Sequence, residues 1–289
     1  MTRIRIIVAG GTGNVGSNIV RALLADKDYE VTILRRVGSQ SKRLDELRAL
    51  GAKVTSAVDY NRHAELVQAM QNTDILISAI DFFAIPEYQP KLFRAAKEAG
   101  VRRVVPSDYS QGTAAMQKTM YKDPDVVMRS ISDVGLEYTR YFCGWFYDFL
   151  LTKEVGIDLE HHKALVYGSG EMDVSVIQQY DLGCYIAASL KDPRSTNAVF
   201  HFQGDAVTYR QLVALVEKYS GTPMAITWKS LDPAYTFRYH GHIPEEEQAC
   251  ELGHATEQGL LALDKPDNDL FPSVQCLPLE TYLANTLVK

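Results

Sequence analysis

Apolar positions in this chain fall into short unbroken runs, separated by longer stretches in which they recur at helical spacing. RIRIIVAG, residues 3–10, is rich in β-branched residues and ends in glycine, the pattern of a buried strand. NVGSNIVRALLADK then sets Val15, Ile19, Leu23 and Leu24 near a helical period, so a helix follows at once. YEVTILRR predicts a second strand, and SKRLDELRALG a second helix closed by Gly51. AKVTSAVD and TDILISAI read as further strands with HAELVQAMQN as the helix between them. QPKLFRAAKEAG is a helix stopped by Gly100, followed by the strand VRRVVPSD. Regular alternation with short connections predicts an α/β protein: a Rossmann-type, doubly wound parallel sheet covered by helices on both faces.

After residue 110 the alternation loosens. PDVVMRSISDVG reads as a helix with Asp123 as N-cap and Pro124 in the first turn, and LEYTRYFC as a sixth strand. CGWFYDFLL is an aromatic loop or helix start, and ALVYGSGEMDVSVI a hairpin region. YDLGCYIAASLKD is a helix, NAVFHFQG a strand and TYRQLVALVEKYSG a helix, while 229–272 is polar, acidic and without a clear period. The expected organisation is a nucleotide-binding domain over 1–150, to which segments near 175–222 partly return. A smaller, interleaved C-terminal lobe over 151–289 would carry the substrate.

The chemistry begins at VAGGTGNVGSNIV, residues 8–20, which sets Gly10, Gly11, Gly13 and Gly16 between a strand and a helix. That context gives the glycines a purpose. Gly10 permits the sharp turn, Gly13 lets a phosphate reach the backbone, and Gly16 allows close packing of the helix. Thr12, Asn14 and Val15 complete the loop at the helix N-terminus, whose free N–H groups and positive dipole end favour an anion. The alternative, a tight turn with no ligand, is less consistent with five strand–helix units around it. The second strand ends in Arg35 and Arg36, with no carboxylate to take a ribose 2′-hydroxyl. Two guanidinium forks suit a 2′-phosphate, and Lys42 adds a positive charge, so NADP(H) is expected over NAD(H).

Composition narrows the class. A net charge of -6 and a pI near 5.7, with no basic tract, argue against nucleic acid as a partner. Four scattered cysteines without a CxxC pair suggest neither a zinc site nor a disulfide framework. The opening MTRIRIIVAG is too short an apolar run for a signal peptide, and no stretch reaches the length of a membrane helix. A cytoplasmic protein with a small-molecule substrate, no membrane partner and no metal is the expectation.

GGTGNVG, YQPKLFRAAKEAGVRRVVPSDYS, GLEYTRYFCGWF and QYDLGCYIAASLKDPR together resemble the NmrA-like and isoflavone reductase-like atypical short-chain dehydrogenases/reductases. The resemblance covers nearly the whole chain, most strongly 5–110 and 125–222. It implies an NADP-binding domain with a smaller substrate lobe, and nicotinamide contacts at Ala79, Ile80, Ser107, Phe142, Cys143 and Gly144. Tyr109, Trp145 and Phe146 would line the substrate pocket, with packing between lobes as the alternative role for the aromatics. Asp181 would tie one lobe to the other by hydrogen bonding.

Acid chemistry needs a donor. None of the sixteen tyrosines has a lysine four residues later, which excludes the Tyr-x-x-x-Lys pair of ordinary short-chain dehydrogenases. The resembled reductases use one lysine at the start of the helix before the sixth strand, and here that position is Pro124. Lys122, two residues earlier, is the candidate proton donor, with a solvated cation on a loop as the alternative role. His161 and His162 are read as surface residues, and His240 and His242 lack further ligands at metal spacing. The expected function is NADPH-dependent reduction of a small aromatic or polyketide-like molecule. The departure at Pro124 keeps two alternatives open: a redox-neutral enzyme on the same scaffold, or an NADP-binding sensor that reports to a protein partner.

Overall fold

The computed structural model describes residues 3–109, 125–235 and 244–288. In chain order the elements begin β1 (Ile4–Ala9), α1 (Asn14–Ala25), β2 (Tyr29–Leu34), α2 (Arg43–Ala49), β3 (Lys53–Val54) and α3 (His63–Met70). Next come β4 (Ile75–Ser78), α4 (Ile85–Glu98), β5 (Arg103–Val105), α5 (Val126–Ser132), β6 (Glu137–Phe142) and β7 (Trp145–Phe146). They continue with β8 (Ile157–Asp158), β9 (Lys163–Tyr167), β10 (Val174–Ile177), α6 (Gln179–Leu190), β11 (Ala198–His201) and β12 (Asp205–Val207). The last are α7 (Tyr209–Ser220), β13 (Ala225–Lys229), α8 (Glu245–Glu257) and α9 (Leu279–Leu287). No helix among the described residues is long and apolar enough to cross a membrane.

Two compact units emerge. The first comprises Met1–Asp108, Asp125–Tyr141 and Leu182–Phe200. Its seven-stranded sheet runs β11-β6-β5-β4-β1-β2-β3, and the strands from β6 to β3 pair in parallel. The reversal of strand order between β1 and β4 is the switch point at which Rossmann-type sheets bind ligands. The inner strands β1 and β4 are almost continuously apolar because helices cover both faces: Ile6, Ile7, Val8, Leu76 and Ile77 are all at most 1% exposed. Helix α6 comes close to α1 through Gly183, where a Cβ would stand 2.8 Å from the Asn18 carbonyl oxygen. The AKVTSAVD strand shrinks to the two-residue edge strand β3 plus an isolated Arg36–Val58 bridge, since β3 has only β2 to pair with.

At the far end of the sheet from the glycine turn, Arg5 grips Asp74 with both ends of its guanidinium, Nε at 3.0 Å and Nη2 at 2.7 Å. Arg5 holds the Asp74 carboxyl below its usual value. A depressed carboxyl stabilises the fold above its unfolded pKa, and that stabilisation is lost as pH falls through the folded value. Both side chains are about a third exposed or more, so Asp74→Asn is expected to cost only about 0.5–1 kcal/mol at pH 7. Urea midpoints of the two proteins should converge below about pH 4. A gap independent of pH would show that the ion pair is not its source.

The second unit holds Tyr109, Phe142–Asp181 and His201–Lys289. It contains two three-stranded sheets, β12-β10-β7 and β13-β9-β8, around a core that includes Tyr147, Val176, Val216 and Leu283. The expected hairpin over ALVYGSGEMDVSVI does not form, because β9 and β10 belong to different sheets. Gly168 and Gly170, both at positive φ, turn the chain away after β9. Glu257 secures that loop by accepting from the Ser169 and Gly170 N–H groups and the Ser169 hydroxyl. In the acidic stretch of unclear period, Glu245–Glu257 forms α8, with Glu245, Glu246 and Glu247 in the first turn, where negative charge suits the helix dipole. Helix α7 carries a full capping box between Thr208 and Gln211 and ends at Gly221 in the left-handed region.

Candidate functional site

The glycine turn joins β1 to α1 at the switch point. Gly10 sits at φ 75°, and a Cβ there would lie 2.2 Å from the Ala79 carbonyl oxygen. A Cβ on Gly16 would lie 2.2 Å from the Gly10 carbonyl oxygen. These two glycines therefore let the turn fold against β4 and α1 fold against the turn. Gly13 differs: it is the N-cap of α1 at φ −71°, it is exposed, and its added Cβ would meet only the Gly10 oxygen at 3.3 Å. The Gly13 N–H closes the turn on the Gly10 oxygen at 2.9 Å, and the first bond of the helix runs from Ser17 back to Gly13. With no side chain on the N-cap, Gly13 caps none of the first N–H groups of α1.

One cavity of about 210 Å³ runs from this turn to the end of β2. Gly10–Gly13, Arg35, Arg36, Tyr60, Ile80 and Tyr88 all line it. The Arg35 N–H bonds to the Thr55 hydroxyl, while its Nε is buried with no hydrogen-bond partner among the described residues. A buried guanidinium nitrogen without an acceptor is costly. Arg36 is exposed and lies 5.9 Å over the Tyr88 ring, which meets Tyr60 edge-on. Burial pushes the Tyr60 hydroxyl pKa up, and that hydroxyl donates to the Leu34 carbonyl at 3.2 Å. Asp81 also lines the cavity, but its carboxylate accepts from the Phe83 N–H at 2.9 Å in capping a short helical turn.

Lys42 is exposed before α2 and outside the cavity lining. Its neighbour Arg43 instead reaches the turn, donating from Nη1 to the Asn14 side-chain oxygen at 2.8 Å. Arg43, Tyr60 and Tyr88 were not among the expected site residues. Arg43 directly follows Lys42 in the sequence, whereas nothing local marks either tyrosine.

On the other side of β1, Ala79 and Ile80 line the cavity where β4 ends. Ser107, just past β5, donates its hydroxyl to the Ile80 carbonyl at 2.8 Å. The next residue, Asp108, is fully sequestered and accepts from Arg140 through both Nε and Nη2 on one oxygen. Burial pushes its carboxyl up, against the pull of that guanidinium. Lys122 and Pro124 lie outside the described residues, as do Asp123, His240 and His242.

The remaining candidates belong to the second unit. Phe142 and Cys143 are buried, and Gly144 is held at φ 70°, where a Cβ would meet the Ser175 carbonyl oxygen at 2.1 Å. Trp145 is buried in that unit's core and edge-on to Phe149, while Phe146 and Tyr109 are half-buried. Asp181 accepts from the Leu277 N–H at 2.8 Å. Both residues lie in the second unit, so the bond pins the start of α6 to the segment before α9 rather than tying two lobes. His161 and His162 are exposed, and His161 pairs with Asp158 across an exposed turn that also carries Glu160.

A parallel sheet in the order 3-2-1-4-5-6, with a glycine turn and two arginines at its switch point, defines a Rossmann-type fold. The profile of the NmrA-like family matches residues 2–246, and the chain belongs to that family. Among curated relatives, the bifunctional pinoresinol-lariciresinol reductase of Linum album is 26% identical, covering 96% of this chain and 93% of that protein. The asnovolin J 5',6'-dehydrogenase nvfM of Aspergillus novofumigatus is 31% identical over 75% of this chain and 69% of its own length. Among solved structures, AtPrR2 with NADP+ and (+)pinoresinol superposes with a TM-score of 0.81 at 24% identity, covering 100% of both chains. The leucoanthocyanidin reductase–NADPH complex from Vitis vinifera gives 0.81 at 19% identity, covering 99% of this chain and 100% of the other. These likenesses establish the fold.

Proposed function

We propose that this protein is an NADP(H)-dependent reductase of a small aromatic or polyketide-like molecule. The observation that carries the reading is the single cavity joining the glycine turn to Arg35 and Arg36. The turn and the uncapped start of α1 would hold the pyrophosphate, and Gly10 and Gly16 keep side chains out of the way. Arg35, with its unpartnered Nε, and Arg36 would hold the 2′-phosphate, with Arg43 and Lys42 adding positive charge. When bound, NADPH supplies a hydride. The chain's own part is to orient the cofactor, keep water out and deliver a proton, which is assigned to Lys122. Ser107 braces the β4 end, and the second unit would carry the substrate, with the half-buried Tyr109 and Phe146 among its contacts. Relatives named for reducing pinoresinol and lariciresinol and for dehydrogenating asnovolin J support a substrate of this kind. A cytoplasmic location accompanies the reading, in keeping with four scattered cysteines that form no CxxC pair.

The test begins with calorimetric titration of NADPH and NADH. NADPH is expected to bind at least tenfold more tightly, and the Arg35→Ala, Arg36→Ala double variant should lose about tenfold to a hundredfold in NADPH affinity. Equal affinities, or an unaffected double variant, would remove the basis for NADP(H). Consumption of NADPH is then followed with aromatic carbonyls, quinones and benzylic ethers. Tight binding without turnover on any of them would favour the sensor over the reductase.

A further inference from the structure

Helix α4 buries a face of Leu92, Phe93 and Ala96 in an apolar core, yet one buried residue of the same helix is Gln89, which is 0% exposed. A primary amide so placed must find partners or destabilise the fold. Its Oε1 accepts from the Ser107 backbone N–H at 2.8 Å. Because that N–H can only donate, the amide orientation is set. Its Nε2 faces the Ser130 hydroxyl of α5 at 3.4 Å, and Ser130 in turn donates to the Val127 carbonyl at 2.6 Å. Ser107 lies beyond β5, after Pro106, where strand pairing has ended. It passes the connection on through its hydroxyl to the Ile80 carbonyl, at the wall of the dinucleotide cavity.

We infer that Gln89 is a positioning residue for the nicotinamide half of the dinucleotide, acting through Ser107 on Ile80. The inference rests on the dinucleotide reading above. Arg35 and Arg36 stand at the end of β2, on one side of β1, and the ends of β4 and β5 stand on the other. A ligand with its 2′-phosphate at the arginines and its pyrophosphate at the glycine turn carries its nicotinamide ribose toward β4 and β5. Those strand ends are joined there by Gln89 and Ser107, so loss of the amide frees the Ser107 turn and blurs the wall formed by Ile80. The adenosine half, held by the turn and β2, does not depend on that link.

The experiment compares NADPH with 2′-phospho-ADP-ribose, which keeps the adenosine half and lacks the nicotinamide. In Gln89→Met, which keeps the length and removes the acceptor, NADPH affinity is expected to fall about tenfold, with the fragment unchanged within twofold. Gln89→Glu retains an acceptor for the Ser107 N–H, and the Ser130 hydroxyl can rotate to donate to its second oxygen. It should restore the NADPH-to-fragment ratio to within twofold of the native value, which also serves if Gln89→Met does not fold. Equal losses for both probes, no loss for either, or an unrestored ratio in Gln89→Glu would overturn the inference, leaving Gln89 as core structure only. Failure of the native protein to bind either probe would instead overturn the dinucleotide reading beneath it.

Discussion

Gly13→Val is expected to abolish NADPH binding, by at least about a hundredfold, in a protein that still folds, whereas Gly16→Val is expected to lose the fold of the turn itself. The contrast follows from where the missing side chains would go. At Gly13 the backbone is in an ordinary extended conformation and a Cβ would be tight only against the Gly10 oxygen, at 3.3 Å. Valine there costs about 1 kcal/mol as a poor N-cap and places its methyl groups where an anion must meet the helix N-terminus. At Gly16 the Cβ would stand 2.2 Å from the Gly10 oxygen, which real structures never tolerate. Helix α1 would have to move off the turn, at a cost of about 3 kcal/mol or more. Thermal melts with circular dichroism, beside a calorimetric titration, separate the two. A folded Gly13→Val that binds NADPH normally would mean that the turn serves only packing.

Lys122→Met is expected to lower turnover by about a hundredfold to ten-thousandfold, with NADPH affinity unchanged within twofold. A ketone or quinone that receives a hydride becomes an anion unless a proton arrives, and removal of a general acid costs in that range. Lys122→Arg should fail nearly as badly, because a guanidinium does not release its proton near neutral pH. The pH profile adds a sign. A general acid must be protonated to act, so the native rate falls as pH rises through its pKa, and that limb should flatten in Lys122→Met. Turnover within threefold of native in the methionine variant would exclude Lys122 as the donor.

Much of this architecture is legible from apolar periodicity. IRIIVA and ILIS are strands buried on both faces along most of their length, so their runs need no knowledge of partners to be recognised. Gly10 and Gly16 are equally legible, since a turn that packs tightly on both sides must exclude Cβ atoms wherever the chain meets itself. Pairing is different. Nothing in ALVYGSGEMDVSVI tells that β9 joins β8 and β13 while β10 joins β7 and β12, because an alternating strand accepts any complementary edge.

The sequence by itself determined the class of fold, the glycine turn and the basic end of β2, because each is a local pattern of side-chain size, spacing or charge. Tertiary structure decided which distant residues meet that turn. Tyr60 and Tyr88 come to the cavity from beyond β3 and from α4, and Arg43 rather than Lys42 reaches Asn14, since one residue along α2 turns a side chain by about 100°. It also decided that Gln89, a polar residue in an otherwise amphipathic helix, faces inward to hold Ser107, and that Asp108 finds its counter-charge in Arg140 on the adjacent strand. The reason is physical: a buried polar group is tolerated only where a partner stands, and where partners stand depends on contacts between segments far apart in the chain.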